Sequence, residues 1–557
     1  MREHIRQRLG QAVERATAQG WLMGVGRLDP REIPVEVPRD RAHGDFASTI
    51  AMVLARKVKE APRAIAEVLA RSFEYPSEYI NTVEVAGPGF INFGVNTCWL
   101  HEAIIAAIED GESYGRIDQG GGLKVQIEFV SANPTGPMNV VNARAAAVGD
   151  VLANLFDFAG YDVSREYYIN DAGNQVDVLG ESCEIRMRQL MGEDIPLPER
   201  CYKGEYISDL ARRALEEHGE EIRRMDPGAR REFFKEFALK AILEWQKASL
   251  ERFGVRFDTW FSERVLVKAH EDEEVLDILR KGGFLYEKDG AVWFRSTDFG
   301  DDKDRVVVKS DGTTTYLLRD LAYHRNKFRR GFEHIIDIWG PDHHGYVART
   351  RAGIQAMGYP PEAFEVLLLQ LVTLYSGGEQ VRMSKRAGEF ITMDELIDDV
   401  GKDAARYFFV TRSTDSHLDF DLELARKESQ ENPVYYIQYA HARIASILRQ
   451  ASSMGISERP ARLCRLDLLD QDVEKELARM ICLLPDEVAA AVRERAPNRM
   501  ARYALDLAGI FHNFYNKCRV IGEDEELMQA RLALVRATKV VLANVLRILG
   551  ISQPERM

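Results

Sequence analysis

The feature that most constrains the fold is a strand, a helix and a strand in direct succession. Residues 125–130 form an apolar run typical of a strand, residues 143–159 form an Ala-rich helix ended by Gly160, and residues 163–169 form a second strand. Two strands joined through a helix favour a parallel sheet. The free amides and positive dipole end at the start of such a helix bind anions, so the turn after the first strand is predicted to hold phosphate.

Length and apolar content predict several domains, because the 557 residues are 45% hydrophobic. We expect an α+β unit over residues 1–115, a parallel-sheet unit over 120–400 with a charged helical insertion at about 183–290, a helical connector over 401–435, and an all-α unit over 436–557. Further strands covered on both faces are predicted at 306–308, 335–339 and 366–372. Thr392 and Glu395 are predicted to form a capping box that opens a helix.

Charge and cysteine content limit the class of protein. The formal net charge of −14 argues against a sequence-blind nucleic-acid coat protein, although local basic patches leave a selective RNA partner open. The six cysteines include no C-x-x-C pair, so neither a zinc knuckle nor a disulfide framework is indicated. The charged N-terminus and the lack of an apolar run of about 20 residues predict a soluble, cytoplasmic protein without a membrane partner.

Five segments occur in a fixed order and carry most of the candidate functional residues. They are Glu128-Phe-Val-Ser-Ala-Asn-Pro-Thr-Gly-Pro137, Arg165-Glu-Tyr-Tyr-Ile-Asn-Asp-Ala-Gly-Asn-Gln175, Tyr316-Leu-Leu-Arg-Asp-Leu-Ala-Tyr-His324, Gly340-Pro-Asp-His-His-Gly345 and Arg382-Met-Ser-Lys-Arg-Ala-Gly388. This set resembles the arginyl-tRNA synthetases, a class I family, and the resemblance extends over residues 86–93, 431–443 and 549–557. It implies an α/β fold: a Rossmann-type parallel-sheet catalytic domain, an α+β N-terminal domain and an all-α C-terminal anticodon-binding bundle.

The resemblance implies an arginine–tRNA ligase that uses ATP to form arginyl-adenylate and transfers arginine to tRNA(Arg). Bound arginine needs planar carboxylate contacts for its guanidinium and a held α-amino group. By resemblance, Glu128 and Asn133 hold the amino-acid end, and Tyr316 and Asp320 form an aromatic wall and a guanidinium acceptor. Ser131 and His344 complete the predicted arginine site. The pair His343-His344 lacks ligands at metal-site spacing, so no bound metal is predicted.

The predicted ATP site combines two segments, with Mg²⁺ as counter-ion of the phosphates. Lys385 is predicted to be catalytic, because a mobile ammonium can follow the charge that builds on the departing pyrophosphate. Arg382 stands where the family usually has another lysine. The full predicted set is Pro134, Thr135, Gly136, Pro137, Asn139, Val141, Asn142, Arg382, Met383, Ser384 and Lys385, with Asn139 and Asn142 as further catalytic residues.

One departure from the family is substantial: Asn139-Val140-Val141-Asn142 replaces the usual His-x-Gly-His signature. Asparagine can still donate a neutral N–H to phosphate but cannot become a cation, and Val141 would push an adenine ring outward unless its neighbours retreat. Three interpretations follow: a working synthetase with compensating changes, a weakened or inactive paralogue that binds tRNA, or an RNA-binding relative without catalysis. A class I nucleotidylyl transferase acting on another acid is a further alternative.

For tRNA, the resemblance implies that Phe90 and Asn92 contact the D-loop and that the C-terminal domain recognises the anticodon. The predicted contacts there are Tyr436, Tyr439, Arg443 and Arg519, through stacking on bases and holding phosphates. Aromatic residues at helical spacing are more often part of a core, and this alternative applies to each of them. We expect the protein to act as a monomer.

Overall fold

The computed structural model describes residues 1–26, 28–38, 40, 43–77, 79–381 and 391–557, except for the side chain of Arg31. Its N-terminal elements are α1 (Arg2–Ala18), β1 (Phe46–Ser48), α2 (Ile50–Val58), α3 (Pro62–Ser72), β2 (Ile80–Ala86), β3 (Phe90–Val95) and α4 (Thr97–Asp110). The strands form an antiparallel sheet in the order β1-β3-β2. Leu9, Ile65 and Phe93 are fully buried in the core between this sheet and its helices, which makes the unit α+β as predicted.

The middle of the chain contains the main sheet. Its elements are β4 (Lys124–Glu128), α5 (Val140–Phe158), β5 (Asp162–Ile169), α6 (Asn174–Leu190), α7 (Glu205–Arg224), α8 (Pro227–Arg252), β6 (Thr259–Ser262), α9 (Glu263–Ala269), α10 (Glu271–Lys281), β7 (Leu285–Lys288), β8 (Ala291–Phe294), β9 (Arg305–Val308), α11 (Tyr316–Arg329), β10 (His334–Trp339), α12 (His344–Ala356), β11 (Phe364–Leu368), β12 (Val372–Ser376) and β13 (Glu379–Gln380). A five-stranded parallel sheet runs in the order β11-β10-β4-β5-β6.

The strand order reverses between β4 and β10, since the chain continues from β4 to β5 and β6 on one side and from β10 to β11 on the other. Ligands of open parallel sheets bind at such a reversal, beyond the carboxyl ends of the strands. Helix α5 packs closely on the sheet because Gly149 faces Phe129: a β-carbon at Gly149 would lie 2.2 Å from that ring. The predicted strand-helix-strand unit is confirmed.

The predicted charged insertion differs from what the structure contains. Helices α6, α7 and α8 form a cluster with its own core, which includes Cys183, Ile207 and Phe234. The chain then returns to the main sheet as β6, inside the predicted 183–290 segment. After it, β7, β8 and β9 form a separate antiparallel sheet. Residues 306–308 are a strand, as predicted, but Val306 and Val308 are only partly buried, so the prediction that this strand is covered on both faces is wrong. Asp289 and Gly290 both have positive φ and form a two-residue hairpin turn, which makes β7 and β8 antiparallel.

The predicted strand at 366–372 also divides in two. β11 ends at Leu368 in the main sheet, whereas β12 begins at Val372 in a third sheet. The remaining elements are α13 (Met393–Val400), α14 (Lys402–Val410), β14 (Leu418–Asp421), α15 (Leu422–Arg426), α16 (Pro433–Ser453), α17 (Asp472–Glu494), α18 (Asn498–Lys517) and α19 (Glu525–Leu549). The connector predicted as helical therefore contains a strand, β14, which alternates buried and exposed residues and pairs in parallel with β12.

Helices α16 to α19 form the C-terminal bundle, as predicted, and the capping box of Thr392 and Glu395 opens α13. The bundle core is continuous with that of the main sheet. Asn544 in α19 donates to the carbonyl oxygens of Gly111 and Tyr114, both at 2.9 Å. Every helix among the described residues is too short or too polar to span a bilayer.

Candidate active site

A crevice of about 360 Å³ opens at the strand reversal, over the carboxyl ends of β4, β5 and β10. One wall is α11, and the entrance is bordered by the turn that leads into α12. The lining residues are Glu128, Val130, Ser131, Tyr168, Asn170, Glu263, Tyr316, Leu317, Arg319, Asp320, Tyr323, His324, Asp337, Ile338, Trp339, Gly340, His343 and Tyr346. The crevice thus combines aromatic side chains with several carboxylates, as a site for a cationic ligand requires.

The floor of the crevice is a buried ion network centred on Lys327. Its Nζ lies 2.5 Å from Glu128 Oε2 and 2.8 Å from Asp337 Oδ1. Burial disfavours the charge on Lys327, but the attraction of Asp337 and Glu128 outweighs it and raises the pKa of the ammonium group. Burial also opposes ionisation of Asp337, yet Lys327 and His324 hold its pKa below the usual value. Lys327 and Asp337 therefore form a charged pair at neutral pH.

Both oxygens of Glu128 have partners inside the protein. Oε2 binds Lys327, and Oε1 accepts a hydrogen bond from Ser131 Oγ at 2.9 Å. Burial raises the pKa of Glu128 despite the neighbouring Lys327. Val130 and Ser131 have φ angles of 69° and 37°, and this left-handed backbone is strained for a β-branched residue such as Val130. The strained turn places Ser131 against both Glu128 and the amide of Tyr168, which donates to Ser131 Oγ at 3.1 Å.

Asp320 is the accessible carboxylate of the α11 wall. Its Oδ2 accepts a hydrogen bond from Thr350 Oγ1 at 3.0 Å, and its Oδ1 lies 3.6 Å from His324 Nδ1. One third of the side chain, 33%, remains exposed to the crevice. Because of this exposure, Asp320 can accept further hydrogen bonds from a ligand that enters the crevice.

Glu263, by contrast, is buried. Its Oε1 lies 3.6 Å from Arg319 Nη1, and burial raises the pKa of its carboxyl group.

The other residues predicted for the arginine site are Tyr316, His344 and Asn133. Tyr316, at the start of α11, lies on the crevice wall and is 72% exposed. His344 begins α12, but it is His343 that lines the crevice. Asn133 is an exposed residue of the loop before α5, where its carbonyl oxygen accepts a hydrogen bond from Gln246 at 3.2 Å. The structure thus brings Glu128, Ser131, Tyr316 and Asp320 together and leaves Asn133 and His344 outside the lining.

At the start of α5, the two asparagines of the altered signature cap each other. Asn139 Oδ1 accepts hydrogen bonds from the amides of Val141 and Asn142, at 2.9 and 3.1 Å, and Asn142 Oδ1 accepts one from the amide of Asn139 at 3.0 Å. This reciprocal arrangement satisfies orphan donors of the helix. Because both amide oxygens are used, the Nδ2 groups are left as donors, and no described residue accepts from them. Val141 is 36% exposed beside them.

The rest of the predicted ATP site lies on both sides of this helix start. In the preceding loop Pro134 is buried, while Thr135, Gly136 and Pro137 are partly exposed. Thr392 forms a β-bridge with Asn139, which places the chain directly after the cationic segment against the start of α5. Arg382, Met383, Ser384 and Lys385 lie outside the described residues.

Of the predicted tRNA contacts, three form a cluster on the C-terminal bundle. The guanidinium carbon of Arg443 lies 4.5 Å from the ring centroid of Tyr439 and 4.6 Å from that of Tyr515. Tyr436 packs against His512, with ring centroids 4.5 Å apart. Arg519 is exposed near the end of α18.

The two predicted tRNA contacts of the N-terminal unit differ in exposure. Phe90 is half-buried at the start of β3, whereas Asn92 is buried in the same strand.

Some residues of the crevice were not predicted, although the sequence contains signals for them. Lys327 follows Tyr316, Asp320 and Tyr323 at intervals of four, three and four, which places all of them on one face of α11. Asp337 interrupts the apolar run of β10 with a charge. A buried charge in a strand requires a partner of opposite sign, and Lys327 is that partner. Glu263 and Thr350 have no comparable local signal.

Comparison with known proteins agrees with this architecture in three successive segments. Residues 2–95 match the family described as arginyl tRNA synthetase N terminal domain. Residues 104–421 match the one described as tRNA synthetases class I (R), catalytic domain, and residues 437–557 match the DALR anticodon binding domain.

Individual relatives agree over the whole length. Proteins named arginine–tRNA ligase from Moorella thermoacetica and Desulforudis audaxviator are 49% and 50% identical to this chain, and each alignment covers 100% of it and 99% of the relative. A solved structure described as a putative arginyl tRNA synthetase from Campylobacter jejuni is 34% identical, with a TM-score of 0.76 over 83% of this chain and 100% of that one. The Thermus thermophilus arginyl-tRNA synthetase shares the fold, with a TM-score of 0.77 at 23% identity over 100% of both chains.

The parallel sheet, the crevice at its strand reversal and the catalytic-domain match define a class I aminoacyl-tRNA synthetase. Within that class, the chain belongs to the arginyl-tRNA synthetase family and is an enzyme of the arginine–tRNA ligase type. The family and fold class predicted from the sequence motifs are confirmed.

Proposed function

We propose that L-arginine binds in the crevice with its guanidinium against Asp320 and its α-carboxylate towards the start of α5. The observation that carries this proposal is the Asp320 carboxylate, which remains one-third (33%) exposed to the crevice beside its partners Thr350 and His324. A planar guanidinium can contact such a carboxylate through two parallel hydrogen bonds. Tyr316 would cover the aliphatic part of the ligand, and the buried pair of Lys327 and Asp337 would keep the floor rigid.

In this proposal, Glu128 does more than accept a hydrogen bond from the α-amino group of arginine. Because Lys327 already pairs with Glu128, a second cation would share the carboxylate with the ammonium group. We therefore assign Glu128 and Ser131 to orienting the α-amino and carboxylate end of arginine through their mutual hydrogen bond. Asn133 and His344 would contact the ligand only after a rearrangement on binding.

For ATP, we propose that the phosphates lie between the start of α5 and the segment that contains Arg382, Met383, Ser384 and Lys385. The capping arrangement supports this, since the helix start is positive and the amino groups of Asn139 and Asn142 are unused donors among the described residues. The loop of Pro134, Thr135, Gly136 and Pro137 and the side chain of Val141 would border the nucleotide. Mg²⁺ would arrive bound to the phosphates.

The reaction follows from these positions. An arginine carboxylate oxygen attacks the α-phosphorus, the bond between that phosphorus and the bridging oxygen breaks, and pyrophosphate leaves with the electron pair. Lys385 would stabilise the charge that builds on pyrophosphate. A hydroxyl of the terminal ribose of tRNA(Arg) then attacks the carbonyl carbon of the adenylate; the bond from that carbon to the phosphate oxygen breaks, AMP leaves with the electron pair, and the hydroxyl gives up its proton. Positioning and charge stabilisation promote both steps without a covalent enzyme intermediate.

For tRNA(Arg), we propose that the Arg443 cluster and Arg519 face the anticodon region and that Phe90 and Asn92 face the D-loop. An arginine held between Tyr439 and Tyr515 offers both a flat surface for a splayed base and a charge for phosphate. We also propose a monomer that works in the cytoplasm. Cys183, Cys201, Cys464, Cys482 and Cys518 form no disulfide, as in proteins of a reducing compartment.

An aminoacylation assay with purified protein, tRNA(Arg), ATP, Mg²⁺ and labelled arginine tests this proposal. We expect charging of tRNA that depends on ATP and on arginine, and no charging with lysine. Tight tRNA binding without charging would contradict the proposal and favour the inactive paralogue. Preference for another amino acid would favour a different class I transferase.

A further inference from the structure

The C-terminal turns of α8 contact both sides of the helix start at which we place ATP. Gln246 Nε2 donates to the carbonyl oxygens of Asn133 and Gly136, at 3.2 and 2.9 Å, in the loop before α5. Three residues further along α8, Ser249 Oγ donates to Asp394 Oδ2 at 2.6 Å. Asp394 lies in the first turn of α13, next to the residues that pair with the start of α5.

Asp394 receives hydrogen bonds from three residues of α8. Besides Ser249, the indole nitrogen of Trp245 donates to Oδ2 at 3.2 Å, and Arg252 donates to Oδ1 at 3.4 Å. These three residues are spaced by four and three positions, so they lie on one face of the helix. A carboxylate with three donors from one helix is fixed in position relative to that helix.

The two polar side chains of α8 that contact the loop before α5 and Asp394 are both buried. Gln246 is 1% exposed and Ser249 is 2% exposed, so both polar groups are buried and satisfied. Tyr206 of α7 adds a hydrogen bond to the carbonyl oxygen of Thr135 at 2.8 Å. Its ring also meets that of Trp245 edge to face, with centroids 6.4 Å apart. Helices α7 and α8 therefore both bind the loop before α5, and α8 also binds Asp394 in the first turn of α13.

We propose that Trp245, Gln246 and Ser249 are positioning residues for adenylate formation. They hold the 133–136 loop and Asp394 at a fixed separation across the start of α5. This inference rests on the proposed ATP site. Reacting groups must be held within a fraction of an ångström of the productive geometry. If the distance between the 133–136 loop and Asp394 is no longer fixed, the rate falls or ATP binding weakens, even when every group that touches ATP is intact.

The test is ATP–pyrophosphate exchange in the presence of tRNA(Arg), with KM determined separately for ATP and for arginine. We expect Ser249→Ala and Trp245→Phe to lower kcat/KM for ATP by about tenfold, the effect of losing a hydrogen bond to a charged group. The KM for arginine should change by less than twofold, because Asp320 lies on α11. Asp398→Asn is the matched control. Asp398 lies on α13 and pairs with Arg252 of α8, but not with Ser249 or Trp245. The kcat/KM of this variant for ATP should stay within twofold of that of the unaltered protein.

A double-mutant cycle identifies Asp394 as the shared partner. In an Asp394→Ala background, Ser249→Ala should cost no more than twofold. A full tenfold loss in that background would overturn the proposal, as would a lowered melting temperature of Ser249→Ala with unchanged kcat/KM for ATP.

A further variant separates this proposal from the proposed ATP site. If Asn142→Asp weakens ATP use but Ser249→Ala does not, only the positioning role fails. If neither variant affects ATP, the ATP site itself is misplaced and both proposals fail.

Discussion

The backbone amide of Met393 donates to the carbonyl oxygen of Met138 at 2.9 Å, and the β-bridge between Thr392 and Asn139 lies beside this bond. These contacts bring the chain that follows the cationic segment against the first turn of α5. Thr392 and Met393 are thus far from the start of α5 in the sequence but adjacent to it in the fold.

The amino groups of Asn139 and Asn142 are predicted to serve as phosphate donors. Aspartate caps a helix as well as asparagine, so Asn139→Asp and Asn142→Asp should keep the melting temperature within a few degrees, about the effect of a neutral cap exchange. Each variant replaces a donor with a carboxylate that repels phosphate, and we expect the KM for ATP to rise by about tenfold or more. Steady-state pyrophosphate exchange measures this, and an unchanged KM would contradict the assignment.

Restoring the family signature is a complementary test. The triple variant Asn139→His, Val141→Gly and Asn142→His should change the kinetics of activation in one direction or the other, depending on what has adapted around these positions. Kinetics identical to those of the unaltered protein would mean that these positions do not touch ATP.

Lys385→Ala is expected to reduce the rate of activation by about 10²–10³, the usual cost of removing a group that stabilises transition-state charge. Arginine binding, measured by calorimetry, should be largely retained because the proposed guanidinium contact is Asp320 on α11. Arg386→Ala serves as the neighbouring control, with a smaller expected loss. Unchanged pyrophosphate exchange in Lys385→Ala would refute its role.

Asp320→Asn is expected to raise the KM for arginine by about 100-fold, since a charge-assisted contact with the guanidinium becomes neutral. The amide oxygen can still accept from Thr350, so the fold should be preserved. Asp342→Asn, near the same crevice but with a side chain 81% exposed, is the control and should have little effect. A KM for ATP that rose as much as that for arginine would argue against a guanidinium contact.

Lys327→Met should destabilise the protein by about 3–5 kcal/mol, because it leaves Glu128 and Asp337 buried without their cation. The measurement is the thermal melting midpoint, with the exposed Lys281→Met as control. Adding Asp337→Asn to Lys327→Met should recover part of the loss, because it removes one uncompensated charge. A midpoint equal to that of the control would show that the network contributes little.

His324 should make stability depend on pH. Burial alone would lower its pKa, but Asp320 and Asp337 outweigh burial and raise it. The folded state therefore binds the proton more tightly, and the stabilisation is complete below the unfolded value of about 6.5 and is lost as pH rises through the raised value. The difference in melting midpoint between the unaltered protein and His324→Gln should be larger at pH 6 than at pH 9. An equal difference at both values would exclude a charged His324.

Local structure was the part that could be predicted from the sequence. The strand-helix-strand unit, the Thr392 capping box and the helix ended by Gly550 depend on contacts between residues near each other in the chain. The division of the apolar run at 366–372 could not be predicted, since both halves have the same composition and differ only in the sheet that receives them.

The ordered motifs by themselves determined the family and the fold class, because short motifs record which side chains and backbone turns the chemistry needs. Tertiary structure alone decided how those residues are used. It paired Glu128 with Lys327, left Asp320 accessible, turned the oxygens of Asn139 and Asn142 into the helix cap, and placed α8 against both the loop before α5 and Asp394. Each of these depends on the distance between residues remote in sequence, and that distance is set by how helices pack on the sheet rather than by local preference.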